Sequence, residues 1–416
     1  MIGLGRRRWL YAFVWLSVVL LVGCGGGSGG GSQSGVSAVN VQPITVGAGP
    51  SSSRVVNLLY TSVTVCVPNS GTQCTTIDHV QVDTGSNGLR ILASQLPKSL
   101  VLPQQTDDTG NYAIAECAQF ADGFSWGPVK IADVKIAGEA AASLPIQVIV
   151  DADPATIPND CSSSGPAENT VDAFGANGVL GVGPLLQDCG NFCVTTTANG
   201  YYYPCPVTDG CSTSTTSATQ ISAKQVGNPV ALFNNDNNGV VIMLPPIPPS
   251  GSASVSGSLI FGIGTTTNNG LGNAKVFTTD ANFGSFTTVY NNQSYNYSLF
   301  DSGSSAMFFS DSTIQVCSPT DPYAPGFYCP PSMLNLNAVI RGTNAVSATL
   351  GFRVANASNL TGDNPDYWVF DNLGAPNAVG NSNVFIWGLP AFFGHSVFVA
   401  IEGQTTSADA GPYIAF

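Results

Sequence analysis

The chain has 416 residues, 44% of them hydrophobic and only 9% charged, with 47 Gly and 27 Pro. That length accommodates two or three domains, and the glycine and proline content suits a loop-rich, mostly β protein. A formal charge of −13 with only 12 Lys plus Arg argues against nucleic acid as a partner, because phosphate recognition requires basic patches.

Residues 1–23 read as a signal peptide. Arg6-Arg7-Arg8 is a basic start, and the apolar run at 9–22 falls short of the ~20 residues that a spanning helix needs. The run ends in Leu21-Val22-Gly23-Cys24, which resembles the lipobox of bacterial lipoproteins. That resemblance implies cleavage before Cys24, diacylation of its sulfur, and contact with the membrane through the N-terminal lipid only. Gly25, in place of an Asp, implies the outer membrane of a Gram-negative bacterium, at the periplasmic face or the cell surface. An ordinary secretory signal that happens to abut a Cys is the alternative. Residues 24–54 are Gly/Ser-rich and are expected to be a flexible tether.

From residue 55 the pattern alternates, with strands expected at 55–60 and 63–67. Pro68-Asn69-Ser70-Gly71 signals a turn, and a returning strand at 75–82 delivers Asp83-Thr84-Gly85-Ser86. A hairpin is expected over 114–136, with its turn at Gln119-Phe120-Ala121-Asp122-Gly123-Phe124. A strand at 145–150 follows, then the glycine-broken apolar run Asn177-Gly178-Val179-Leu180-Gly181-Val182-Gly183. Residues 189–225 form a Cys-rich insertion in which nothing reads as catalytic.

The second half opens with a strand at 258–262. Strands at 286–290 and 298–300 then lead to Asp301-Ser302-Gly303-Ser304. Asn383-Val384-Phe385-Ile386-Trp387-Gly388 matches the earlier apolar run, and strands at 397–401 and 413–416 close the chain. Asp83 precedes Gly181 by 98 residues and Asp301 precedes Gly388 by 87, so the same motifs recur in the same order. This repetition predicts two lobes, 55–247 and 248–416. The stiff Pro245-Pro246-Ile247-Pro248-Pro249 is expected to cross between them.

Of the 11 Cys, ten remain after Cys24, an even number suited to disulfides in an oxidising compartment. Cys66 with Cys74 and Cys317 with Cys329 are expected as local pairs, and Cys189, Cys193, Cys205 and Cys211 as pairs among themselves. A zinc site in that last group is the rival reading. It is disfavoured because no His is near and the spacings lack two Cys-x-x-Cys knuckles. The two His, His79 and His395, are expected to be structural, and a Ser-His-Asp hydrolase would need one of them in a cleft.

Taken together, the motifs resemble those of pepsin-like aspartic proteases over nearly all of the chain from residue 55. The resemblance implies an all-β bilobal fold with a cleft between duplicated lobes, and Asp83 and Asp301 as a catalytic pair. Two carboxylates held together cannot both ionise, so they share a proton. One activates a water as general base while the other protonates or polarises the scissile carbonyl. Gly85 and Gly303 would let backbone amides approach, Ser86 and Ser304 would bond the outer carboxylate oxygens, and Thr84 and Ser302 would reach across to the opposite lobe. Phe120 stands where the flap of such enzymes usually carries a Tyr, and Arg90 where a supporting Trp is common. The implied activity is an endopeptidase acting as a monomer on a peptide or protein substrate, with no cofactor and no metal. The alternative is a catalytically weak or inactive pepsin-like lipoprotein that acts as a peptide- or protein-binding module of the cell envelope.

Overall fold

The last four residues of strand Cys74–Asp83 are all buried, unlike the alternating residues before them. The cause is cover on both faces: Val80 to Asp83 run parallel to strand Gly178–Val182, itself buried throughout. Gly178–Val182 accordingly reads as a continuous apolar run, whereas Val80 to Asp83 retain the polar Gln81, which bonds the Gly303 carbonyl.

The computed structural model describes residues 39–52, 54–197, 200–377 and 383–416. Those residues belong to one compact unit. It is mostly β, with 40% strand and 10% helix in two barrel-like sheets. The larger sheet has fourteen strands. From one edge they are Val276–Thr278, Tyr413–Ala415, Ser396–Ala400, Gly239–Met243, Val255–Phe261, Val41–Val46, Leu59–Cys66, Cys74–Asp83, Gly178–Val182, Asn87–Leu92, Glu139–Ile149, Phe124–Ile136, Tyr112–Gln119 and Tyr202–Pro206. The smaller sheet runs Ser347–Val354, Leu334–Arg341, Phe286–Tyr290, Gln293–Phe300, Val384–Trp387, Met307–Phe308 and Gly374–Ala375.

The internal repeat is visible in the pairing. The strand feeding each Asp runs parallel to its apolar Gly run, and the strand after each motif lies antiparallel to that same run. Behind Asp301 an aromatic cluster fills the second half. Phe300 stacks on Trp387 at 5.9 Å and Phe385 lies 4.8 Å from Trp387. The indole N–H donates to Thr288 Oγ1 at 3.0 Å, so its one polar atom is satisfied. Each such fully buried ring stabilises by roughly 1.5–3 kcal/mol.

Several expectations are corrected. The stretch expected as tether contains strand Val41–Val46, which pairs along its whole length with Val255–Phe261 and at its end with Leu59–Cys66. Its alternating burial explains why it orders despite glycine-rich surroundings. Residues 55–58 are not a strand: Asn57 is left-handed, with φ of 56°, and its amide donates to Trp368. Nor do the sheets divide at residue 248. Val255–Phe261, Val276–Thr278, Ser396–Ala400 and Tyr413–Ala415 all lie in the larger sheet. The proline run therefore links two adjacent antiparallel strands, Gly239–Met243 and Val255–Phe261, instead of crossing between lobes. The Cys-rich insertion also contributes a strand, Tyr202–Pro206, to the hairpin strand Tyr112–Gln119.

Five disulfides form: Cys66–Cys74, Cys117–Cys161, Cys189–Cys193, Cys205–Cys211 and Cys317–Cys329. They fit an oxidising compartment outside the cytoplasm, and the pairing of the four insertion cysteines removes the thiolates a zinc site would need. Among the described residues no helix is long and apolar enough to cross a membrane. The signal peptide, Cys24 and the tether as far as residue 38, together with residue 53, lie outside the described residues.

Candidate active site

Two tight turns, one from each sheet, meet at Asp83 and Asp301. Gly181 lies opposite Asp83, and the Asp301 amide donates to the Trp387 carbonyl at 2.9 Å. The glycines of these runs are required by close passage. A Cβ on Gly181 would lie 2.7 Å from the Asn87 backbone, and one on Gly388 would lie 2.0 Å from the Ala306 carbonyl oxygen.

Each turn holds its own carboxylate in the same way. The Gly85 amide donates to Asp83 Oδ1 at 2.7 Å and the Ser86 hydroxyl to Oδ2 at 2.5 Å. The Gly303 amide donates to Asp301 Oδ1 at 2.8 Å and the Ser304 hydroxyl to Oδ2 at 2.6 Å. Across the pair, Thr84 Oγ1 donates to the Phe300 carbonyl and Ser302 Oγ to that of Val82, both at 2.8 Å. Gln81 adds a bond from its Nε2 to the Gly303 carbonyl at 2.9 Å.

The absence of side chains at Gly85 and Gly303 lets the carboxyls come together. A Cβ on Gly85 would sit 2.6 Å from Asp301 Cγ, and one on Gly303 would sit 2.6 Å from Asp83 Oδ1. The two carboxyls share a hydrogen bond. Burial, and next the Asp83 carboxyl, hold Asp301 well above the usual carboxylate range, against the bonds from Ser304 and Gly303. Asp83 is only 8% exposed. Such a pair retains one proton, leaving one group to accept a proton and its neighbour to donate one.

All eight dyad and dyad-supporting residues named from the sequence are thus brought together. Phe120 stands in the turn of the Tyr112–Gln119 hairpin, where its ring meets Phe174 edge-on at 5.8 Å. His79 lies beside Asp78 at 3.3 Å and edge-on to Tyr60, and burial pushes the half-buried His395 imidazole down.

Sequence reasoning did not find a second polar centre around Arg90. In the fully buried strand Asn87–Leu92, Arg90 donates through Nη2 to Glu116 at 2.7 Å and Asp188 at 3.2 Å, and through Nη1 to the Asn87 carbonyl at 2.9 Å. Burial, and next Glu116, push the Asp188 carboxyl well up, so a retained proton spares the cluster two buried negative charges. Tyr202 donates to Asp188 at 2.6 Å. An Arg inside an apolar strand was the available signal, since a buried cation requires an acid. Its partners lie 26 and 98 residues away, where no local pattern points to them.

Residues 36–416 match a family model described as "Protein of unknown function (DUF3443)", and the chain belongs to that family. No curated protein matches the chain.

Proposed function

We propose that this DUF3443 member is an aspartic endopeptidase of pepsin-like fold, hydrolysing peptide bonds with a water activated between Asp83 and Asp301. The observation that carries the reading is the hydrogen-bonded carboxyl pair, with matching support from Gly85, Ser86, Gly303 and Ser304 on its two sides. The ionised carboxylate takes a proton from water as its oxygen adds to the scissile carbonyl carbon. The protonated partner donates to the carbonyl oxygen. Collapse of the tetrahedral intermediate breaks the C–N bond as the proton gained from water passes to the leaving amine and one hydroxyl proton of the intermediate returns to the carboxylate that had donated its own, restoring the pair. These steps need only carboxyl chemistry.

The test is digestion of a peptide library at several acidic pH values, with and without a statine inhibitor that mimics the tetrahedral intermediate. Cleavage that the inhibitor blocks, and that Asp83→Asn or Asp301→Asn each lowers by at least ~10²-fold, is the expected result. If no peptide is cut at any pH, the peptidase fails and the binding-module reading takes its place.

We also propose that the protein is a monomer, anchored to the outer membrane through lipid on Cys24, the anchor resting on the lipobox-like Leu21-Val22-Gly23-Cys24. Cys24→Ala should move it from the membrane fraction to the soluble fraction. Retention of the variant in the membrane fraction would remove the anchor.

A further inference from the structure

The turn between strands Tyr112–Gln119 and Phe124–Ile136 is docked on the segment that precedes strand Gly178–Val182. The Phe124 amide donates to the Pro166 carbonyl at 3.0 Å, and the Glu168 amide donates to the Phe124 carbonyl at 2.8 Å. These bonds form a parallel bridge between Phe124 and Ala167. Phe120 meets Phe174 on the same side. Gly123 leaves no room for a side chain: a Cβ there would lie 2.5 Å from the Pro166 carbonyl oxygen and 2.7 Å from Glu168 Oε1. Backbone contact this close lays the Glu168 carboxyl along the turn, where it shares a hydrogen bond with Asp122. A bond between two carboxyls exists only while one of them keeps a proton.

The surrounding charges do not relieve this pair. Asp122 is the charged group that faces Glu168 from the turn. On neighbouring elements, Asp151 accepts from Asn169 at 2.8 Å, Asp172 accepts from Ser51 and Ser52, and Asp160 faces Tyr203. None of the five ion pairs among the described residues includes Asp122 or Glu168.

We propose that Asp122 and Glu168 form an acid-dependent latch for the hairpin turn, with Glu168 as the positioning residue that holds Phe120 and its neighbours in place. The proposal concerns the docking of the hairpin and stands apart from the peptidase reading. Burial, and next Asp122, push the Glu168 carboxyl up to about 8. Its proton is therefore bound more tightly in the docked state than in the undocked one. Docking is strongest below the ordinary Glu value of about 4.3 and weakens as pH rises towards about 8. One linked proton corresponds to about a tenfold loss per pH unit within that window.

The experiment is amide hydrogen exchange on the full chain, corrected for the intrinsic pH dependence of exchange. It compares residues 120, 124 and 168 with strand Gly178–Val182 as an internal control. Protection of the turn is expected to fall by at least about tenfold between about pH 5 and pH 8, with no matching loss in the control strand. Glu168→Gln, whose amide can donate to Asp122 at any pH, is expected to keep high protection throughout. Glu168→Ala is expected to show low protection throughout. A wild-type turn with flat protection, or a Glu168→Gln variant that titrates like wild type, would overturn the latch. Exchange needs no substrate. A titrating turn in a protein that cuts no peptide would keep the latch and remove only the peptidase.

Discussion

Thr84 and Ser302 are each other's hydrogen-bond partner twice over. The Thr84 amide donates to Ser302 Oγ at 3.1 Å, and the Ser302 amide donates to Thr84 Oγ1 at 3.0 Å. Both residues are almost wholly buried, so neither amide has water as a substitute. The exchange fixes the two turns, and hence the two carboxyls, at one separation.

Thr84→Val and Ser302→Ala should therefore each destabilise the protein by about 1–3 kcal/mol, because a buried donor and a buried acceptor lose their partner. The double variant should cost less than the sum, by roughly 0.5–3 kcal/mol, since the two substitutions break different bonds that pin the same joint between the turns. Urea unfolding of the four proteins checks this. Strict additivity would mean the exchange is not cooperative.

Gly85→Ala should push the carboxyls apart, because its Cβ would meet Asp301 Cγ at 2.6 Å. With Asp83 moved away, the Asp301 carboxyl should titrate closer to the ordinary range. Carboxyl-carbon NMR on the variant checks the direction, and an unchanged Asp301 titration would contradict it.

The stability of the protein should fall as pH rises through the titration of Asp301. Its folded-state value is raised, first by burial and then by Asp83. The native state thus holds that proton more tightly than the unfolded chain does. The contribution is fully present below the unfolded Asp value of about 3.9 and is lost as pH rises through the folded value. Asp301→Asn cannot titrate, so its melting temperature should depend less on pH over that window than the wild type's. Parallel curves for the two proteins would refute the assignment.

Removing one partner from the Arg90 centre should be severe. Glu116→Ala leaves the guanidinium with only Asp188 and the Asn87 carbonyl in a site closed to water, a loss of about 3–5 kcal/mol. Glu116→Gln keeps an acceptor and should cost less. Chemical denaturation orders the two variants, and the reverse order would mean that a hydrogen-bond acceptor at residue 116 is not what Arg90 requires.

Phe120→Tyr tests the hairpin's part in the proposed chemistry. If the peptidase reading holds, a phenol at this turn should raise turnover by about 2–10-fold, the worth of one added hydrogen bond. A measured decrease would place residue 120 outside the working cleft.

Much of the candidate site was legible because its parts are local. Asp83 and Asp301 each carry their amide and hydroxyl donors within three residues, so one short motif specifies the whole carboxylate cradle. Gly181 and Gly388 announce themselves as breaks in apolar runs, and four of the five disulfides close loops of 12 residues or fewer. Fold class was legible too, because period-two burial and glycine turns are written residue by residue.

Tertiary structure decided what depends on contacts distant in the chain. Thr84 and Ser302 are 218 residues apart, and nothing near either one names the other. The same holds for Arg90 with Asp188, for Asp122 with Glu168, and for Val41–Val46 with Val255–Phe261. In each case a chain segment needs a partner of a given chemistry: a strand edge needs another edge, and a buried cation needs an acid. The amino-acid sequence states that need locally. Which partner meets it is settled only when the distant segments come together in the folded chain, because packing determines which edges and charges are shut away from water together.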